Sequence, residues 1–238
     1  MHPTVEFLGR TISTYGLMAA AGIICGLLFV FFLSRGMKLD AENAVYIYTF
    51  GFIGAGLGAK ILYLLISLPD LIEDLKTYGL VRTSVAYIQG GMVFYGGLLG
   101  AIGAAFLTAR YLKVDIRDYY PALVPGIAIL AGLGRVGCYL NGCCYGKDHL
   151  PVQLYEAAFD GVIVAVLILL TFALPSSRRK LLAIYLISYA VFRFILEFWR
   201  GDEIRGFFGP FSTSQWISLG ILLFLGVKRL VISSKSSL

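Results

Sequence analysis

The sequence predicts an all-α integral membrane protein of seven transmembrane helices, with its N-terminus outside (periplasmic) and its C-terminus cytoplasmic. Three observations carry that prediction. Of 238 residues, 58% are hydrophobic and 14% charged, roughly half the charged share of about 25% in a soluble domain. Seven apolar stretches can be counted, each close to the roughly 20 residues that cross a bilayer. Lys and Arg also divide unevenly between alternate connections. This composition excludes a soluble globule, a disordered tail, a collagen-like fibre and a secreted disulfide scaffold.

The stretches run over 15–34, 44–68, 91–112, 119–140, 154–174, 181–199 and 215–232. Hydrocarbon offers no hydrogen-bond partner, so spans of this length are helices. The first follows a mildly polar segment, Met1 to Thr14, and lacks an A-x-A cleavage site, so it reads as a retained span rather than a signal peptide. Arg35-Gly36-Met37-Lys38 ends it, and Pro69-Asp70 closes the second. The longest connection, 69–90, mixes Asp70, Glu73, Asp74 and Lys76 with apolar residues and predicts a short interfacial helix. Spans 2 and 3 are rich in glycine: Gly51, Gly54, Gly56 and Gly58, then Gly90, Gly91, Gly96, Gly97, Gly100 and Gly103. Small residues let helices approach closely in lipid, and the two Gly-Gly pairs are also candidate helix breaks. The remaining junctions are the glycine-rich end of span 4, Pro175 to Lys180, and Gly201-Asp202-Glu203. Little chain is left over, so residues 1–238 read as a single membrane-embedded domain. No internal repeat suggests a transporter built from two halves.

Orientation follows from the basic residues. Arg35, Lys38, Arg110, Lys113, Arg117, Arg178, Arg179, Lys180, Lys228, Arg229 and Lys235 fall on one side. Arg10, Lys76, Arg82, Lys147, Arg200 and Arg205 fall on the other. The richer side is cytoplasmic. The net charge of +6 is therefore assigned to orienting loops. Its scatter, with no basic patch or stripe, argues against nucleic-acid binding.

Charges inside a bilayer are costly and mark function. Span 6 reads Tyr185-x3-Tyr189-x3-Arg193-x3-Glu197, one polar stripe on a helix face. Either Arg193 and Glu197 merely neutralise each other, or Arg193 holds an anion and Glu197 orients it. Span 4 ends in Gly134-Arg135-Val136-Gly137-Cys138-Tyr139-Leu140-Asn141-Gly142-Cys143-Cys144-Tyr145-Gly146-Lys147. That segment is either a phosphate cradle or a snorkelling Arg followed by a turn. Lys60 of span 2 either snorkels or reaches the same anion. Glu156, near the start of span 5, is stabilised by the helix dipole alone and gains interest beside two arginines. Cys25 reads as a small buried apolar residue. Cys138, Cys143, Cys144 and His149 supply four soft ligands at a spacing that is not a standard zinc pattern, and Cys138 with either neighbour could form a disulfide in an oxidising compartment.

Seven elements then line up in order. They are Tyr15-Gly16-Leu17, Gly58-Ala59-Lys60, Gly90-Gly91-Met92-x2-Tyr95-Gly96-Gly97, Gly134 to Gly146, Gln153-Leu154-Tyr155-Glu156, the stripe Tyr189-x3-Arg193-x3-Glu197-x2-Arg200, and Gln215. In order and spacing, nearly end to end, the chain resembles the bacterial prolipoprotein diacylglyceryl transferases. The matching family elements are a first-span YGL, a Gly-Arg pair, GGM-x-x-H-GG, the signature G-R-x-G-N-x-x-N-G-x-x-x-G, QLYE, the sixth-span stripe and a seventh-span glutamine.

The resemblance implies transfer of a diacylglyceryl group from phosphatidylglycerol to the lipobox cysteine of a preprolipoprotein, in the bacterial cytoplasmic (inner) membrane. A thioether forms and glycerol phosphate leaves. The lipid bilayer is the surrounding partner. No nucleic acid, cofactor or metal is implied. Carried over by position, the catalytic set is Arg135, Arg193, Tyr95 and Tyr189. The substrate-binding set is Tyr15, Lys60, Gly134, Asn141, Gly142, Gly146, Gln153, Glu156, Glu197 and Arg200. Within these, Arg135 and Arg193 are assigned to the phosphate, and Tyr189, Asn141, Glu156, Glu197 and Arg200 to positioning.

The chain departs from the family pattern at four places. Tyr95 stands where the family usually has a histidine, often considered its general base. Tyrosine, with a pKa near 10, is a poor base but can donate a hydrogen bond to phosphate. Cys138 replaces the signature Asn, and Cys143 replaces the acidic residue after Asn-Gly. Lys60 keeps the charge of Arg without its bidentate fork. Two other readings stay open here. One is the same fold acting on another thiol acceptor. The other is a non-enzymatic thiol or metal membrane protein using Cys138, Cys143 and Cys144.

Overall fold

Helices carry nearly all of the computed structural model, which describes residues 4–7, 10–201 and 206–236. Asp202, Glu203 and Arg205 lie outside the described residues. In chain order the elements are β1 (Thr4–Phe7), β2 (Arg10–Ser13), α1 (Thr14–Gly36), α2 (Ala41–Ile66), α3 (Leu68–Tyr78), α4 (Leu80–Gln89), α5 (Phe94–Tyr111), α6 (Ile116–Asn141), α7 (Val152–Ala173), α8 (Leu181–Leu196), β3 (Phe207–Phe208), β4 (Phe211–Ser212) and α9 (Thr213–Ser236). β1 pairs antiparallel with β2, Thr4 opposite Ser13, and β3 pairs antiparallel with β4. The polar segment ahead of span 1 is thus in part a hairpin, which its composition did not announce.

Among the described residues, five helical runs are long and apolar enough to cross a membrane: α1, α2, α6, α7 and Pro175–Trp199 around α8. The pair α4 and α5, bent by 73°, raises the number to six if it counts as one span. The predicted seventh span falls on α9, whose apolar part, Thr213–Lys228, is shorter. The connection expected to hold one interfacial helix holds two, α3 and α4, parted by Gly79 at φ +80°. Exposed apolar faces fit a lipid surrounding: Leu57, Ile61 and Leu65 on α2, and Leu99, Ile102 and Phe106 on α5. Cys25, expected to be buried, is exposed on α1. A lipid face is as apolar as a core, so a small thiol suits either.

The chain divides into two compact units, Val30–Tyr119 and Met1–Phe29 with Tyr120–Leu238. In the first unit, α2 and α5 meet along Gly54-x3-Gly58 and Gly96-x3-Gly100. A Cβ on Gly58 would lie 3.0 Å from the Gly100 Cα and closer still to the Gly96 carbonyl oxygen. Only glycine permits this approach. The two Gly-Gly pairs therefore have different fates. Gly96-Gly97 stays helical inside α5, while Gly90-Gly91 falls in the break before it. The break is tied to α2: Lys60 Nζ donates to the carbonyls of Gly90 and Gly91, and Val93 N donates to the Ala59 carbonyl at 3.2 Å. Those contacts satisfy backbone groups that apolar surroundings would otherwise leave stranded. The turns at 35–40 and 110–115 share one device. Each has a Lys in the left-handed region, Lys38 at φ 59° and Lys113 at φ 57°. Each then has an aspartate that caps the next turn, Asp40 Oδ1 accepting from Glu42 N and Asp115 Oδ1 from Arg117 N, both at 3.0 Å.

In the second unit, Val124 and Ala128 of α6, Ile163 and Leu167 of α7, and Leu181 and Tyr185 of α8 form one buried cluster. This cluster fixes the three helices that carry the polar site. α9 starts from a capping box. Gln215 N donates to Ser212 Oγ at 3.3 Å, and Ser212 N donates to Gln215 Oε1 at 3.0 Å. Gln215 Nε2 also donates to the Phe194 carbonyl at 3.4 Å, which ties α9 to α8.

Gly58→Ala should lower stability in detergent by about 1–3 kcal/mol, the cost of overpacking against an immovable carbonyl. Gly103→Ala, where a Cβ meets nothing within 4 Å, should be neutral or gain up to about 1 kcal/mol from helix propensity. Unfolding in mixed micelles, with helicity as the readout, compares the two.

Candidate functional site

The centre of the polar site is one carboxylate. Glu156 lies on α7, one turn beyond its start, and is 1% exposed. An unpaired carboxylate there would lose its hydration without compensation. Its two oxygens take two arginines from two other helices. Arg135 Nε of α6 meets Oε2 at 2.8 Å. Arg193 Nη1 of α8 donates to Oε1. Arg193 continues the network: its Nη2 is 3.2 Å from Glu197 Oε2 and donates to Ser214 Oγ at 3.4 Å. The expected i,i+4 pair of Arg193 and Glu197 is therefore present, as one edge of a larger array. Tyr189, half-buried, lies near Arg135, with its ring between those of Phe159 and Tyr185.

The two arginines are not equivalent. Arg193 is engaged on both terminal nitrogens, and its side chain is 11% exposed. Arg135 is held to Glu156 through Nε, and its side chain is 27% exposed. Arg135 thus presents guanidinium surface to a ligand, while Arg193 is committed to carboxylates and a hydroxyl. Two arginines and two glutamates balance in formal charge, so an incoming anion meets a neutral array with an accessible cation.

Asp160 belongs to this region and was not singled out in the sequence. It lies one turn beyond Glu156, 2% exposed, and accepts a hydrogen bond from Tyr185 at 3.4 Å. A Cβ on Gly132 would lie 3.1 Å from the Asp160 Cβ, so α6 passes close by. An acid inside a predicted span was the available signal.

The segment after α6 is shaped by backbone approach. Gly137 sits against Met18 and Tyr15 of α1, where a Cβ would lie 3.0–3.4 Å from their atoms. Gly142 turns the chain at φ +76°. Gly146 forms an isolated antiparallel bridge with Arg200, and its Cβ would lie 2.7 Å from the Trp199 carbonyl oxygen. Gly134 faces open space, and Asn141 is exposed at the end of α6. Tyr15 is 46% exposed, and Arg200 is buried. Gln153, 1% exposed, donates through Nε2 to the Cys143 carbonyl at 2.6 Å, while its Oε1 has no hydrogen-bond partner among the described residues.

Cys138, Cys143 and Cys144 have free thiols whose sulfurs all lie within 4.8 Å of one another. Cys144, in the loop beyond α6, sits below the ordinary thiol range, at about 5. The hydrogen bond from Cys138 is the main cause, assisted by Cys143 and by the guanidiniums of Arg200 and Arg135. His149, the fourth soft ligand in the sequence, is not among these three. Its ring packs on Tyr145 with centroids 5.2 Å apart.

Lys60 and Tyr95 belong to the other unit. Lys60 holds the α4–α5 break and lies over the Tyr63 ring at 5.0 Å. Tyr95 is 43% exposed near the start of α5, with its ring against Phe94.

Fold and site together define a polytopic α-helical membrane protein with a buried Arg–Glu network at the junction of three helices. The chain belongs to the prolipoprotein diacylglyceryl transferase family, whose family model matches residues 3–231. It is 31% identical to the phosphatidylglycerol-prolipoprotein diacylglyceryl transferase of Clostridium tetani over 237 residues, covering 90% of each chain. It is 32% identical to the second such enzyme of Clostridium perfringens over 246 residues, covering 92% of this chain and 90% of that one. The Rickettsia felis enzyme is 29% identical over 252 residues, covering 94% and 93%.

Glu156→Ala leaves two arginines facing each other without their shared carboxylate. A loss of about 3–5 kcal/mol is expected from breaking such a buried pair. Thermal unfolding in micelles measures it, and a change under about 1 kcal/mol would mean that water already solvates the network.

Proposed function

We propose that this protein transfers the diacylglyceryl group of phosphatidylglycerol to the lipobox cysteine thiol of a preprolipoprotein, releasing glycerol phosphate. The observation that carries the reading is the pair of arginines tied to Glu156 within apolar helices. The reaction needs a nucleophile and a held leaving group. The nucleophile is the acceptor's own thiol, so the enzyme needs none. The sulfur attacks the terminal glyceryl carbon, the carbon–oxygen bond to phosphate breaks, and the electron pair leaves with the phosphate oxygen. A preorganised cation aimed at that oxygen lowers the barrier.

We read Arg135 as the contact to the phosphate, because it keeps accessible surface. Arg193, Glu156, Glu197 and Tyr189 hold Arg135 in place. Tyr15, Gly134, Asn141, Gly142, Gly146, Gln153 and Arg200 line or shape the surrounding segment, and Lys60 and Tyr95 complete the assigned set. The matched residues 3–231 take in all of Val30–Tyr119 and nearly all of the other unit, which supports treating 1–238 as one functional domain. The basic-residue bias supports seven spans with the N-terminus outside, α9 being the seventh, in the bacterial inner membrane.

One observation favours a second reading, in which the same fold serves another thiol acceptor: Tyr95 stands where a histidine is expected. Purified protein offered phosphatidylglycerol with a lipobox peptide or a small free thiol separates the two. Lipidation of the peptide alone supports the first reading, and of the small thiol alone the second. In the peptide assay Arg135→Ala should lose about 10²–10³ in turnover, the usual cost of one charge-stabilising donor, and Arg193→Ala, acting through Arg135, should lose turnover up to that same extent. Full activity in either variant removes that residue from its role. Tyr95→Phe should slow transfer if the hydroxyl contacts phosphate, and Tyr95→His should then fail to improve on the wild type.

A further inference from the structure

We propose that Cys138, Cys143 and Cys144 form a three-thiolate zinc site whose fourth position takes the acceptor's thiol as a thiolate. The acceptor role rests on the transfer reading above; the metal site itself does not.

The geometry is close to that of a bound ion. The three sulfurs lie within 4.8 Å of one another. Tetrahedral zinc with Zn–S near 2.3 Å spaces its thiolates about 3.8 Å apart, so closing onto one ion needs shifts of about 1 Å. The chain is folded to bring the thiols together. Cys138 stands on the last turn of α6. Gly142 at φ +76° and Cys144 at φ +61° turn the following loop back on it. A cysteine in the left-handed region is uncommon and is held there only by its surroundings. The holding contacts are Cys143 N to the Cys138 carbonyl at 3.1 Å, Cys143 Sγ to the same carbonyl at 3.6 Å, and Gln153 Nε2 to the Cys143 carbonyl at 2.6 Å.

The ligand count points to a working site rather than a structural one. Structural zinc is closed by four protein ligands, whereas catalytic zinc has three and an open position. Among the described residues His149 stays outside the cluster, against Tyr145. The charge also fits. Three thiolates and Zn²⁺ carry one negative charge, and a fourth thiolate makes two. Arg135 and Arg200 are within electrostatic range of Cys144 and offset them.

The site would supply what Tyr95 supplies poorly. A thiol of pKa near 8.5 is only about 3% thiolate at pH 7, whereas a metal-bound thiol is deprotonated outright. The acceptor's proton passes to solvent, its sulfur attacks the glyceryl carbon, the bond to the phosphate oxygen breaks, and the metal keeps its oxidation state. Complete ionisation is worth about 30-fold at pH 7.

The test uses the full chain, reduced, purified in detergent and stripped with a chelator. Titrated Co²⁺ should bind at one equivalent with thiolate-to-cobalt charge-transfer absorption. Cys138→Ser, Cys143→Ser and Cys144→Ser should each weaken that absorption, and Cys25→Ser should leave it intact. A lipobox peptide should shift the visible cobalt bands, and its Cys→Ser version should not. Stripping should slow lipid transfer about 30-fold, with recovery on adding Zn²⁺. Absence of the charge-transfer band in reduced wild type overturns the site. Cobalt bands indifferent to the peptide thiol, or full transfer by stripped protein, overturn the acceptor role. Cobalt bound normally with no transfer to any thiol in any metal state overturns the transferase reading and the acceptor role while the three-thiolate site stands.

Discussion

The second unit depends on a single buried carboxylate. Glu156 pairs with Arg135 through one oxygen and accepts from Arg193 through the other, so α6, α7 and α8 are joined by charge as well as by their shared apolar cluster. Without it Arg135 would lose its carboxylate and Arg193 would keep only Glu197 and Ser214, and removing one partner of a buried charge pair is strongly destabilising. The rest of the array follows. Glu197 and Ser214 complete Arg193, Tyr189 supports Arg135, and the face of Arg135 left over is the part that can meet a ligand. An array neutral in itself can hold cations in place without a resident counter-ion, which suits a site that must accept an anionic headgroup and release an anionic product.

The first unit solves a different problem, that of ending a helix where backbone groups have no water. The α4–α5 break leaves carbonyls exposed at Gly90 and Gly91, and Lys60 reaches both. The glycine seam of α2 and α5 brings the backbones close enough for Val93 to bond the Ala59 carbonyl. Lys60, read from sequence as either a snorkelling residue or an anion ligand, has a structural duty of its own. A lysine is well suited to it, since its ammonium offers three donors that converge on one point.

Much of the site was legible in the sequence, because a bilayer penalises charge and every intramembrane Arg or Glu stands out. Arg135, Arg193 and Glu197 were found that way, and Glu156 by its place beside the arginines. Their partnerships were less visible. The Arg193–Glu197 edge follows from helical spacing, but Arg193 and Glu156 are 37 residues apart and meet only because α7 and α8 pack together. Asp160 obeys the same rule as Glu156, but no matching element in the sequence marks it. Ser212 and Gln215 form a capping box written plainly as S-x-x-Q ahead of an apolar run, while the resemblance marks Gln215 only as a matching position. Three thiols and His149 read as four soft ligands, and the fold keeps the three thiols together.

The sequence by itself determined the medium, the helical class and the family, since these follow from composition, period and ordered motifs. It also determined which side chains had to find partners, because solvation by hydrocarbon is the same wherever a span sits. Only the tertiary structure decided how those needs were met. It made Gly90-Gly91 a break and kept Gly96-Gly97 in a helix, though the two pairs look alike as sequence. The difference lies in what faces them: a lysine able to satisfy freed carbonyls in one case, and the backbone of a neighbouring helix at contact distance in the other. It likewise committed Arg193 and left Arg135 accessible, because accessibility depends on how neighbouring helices are placed, and helical spacing along one chain does not encode that.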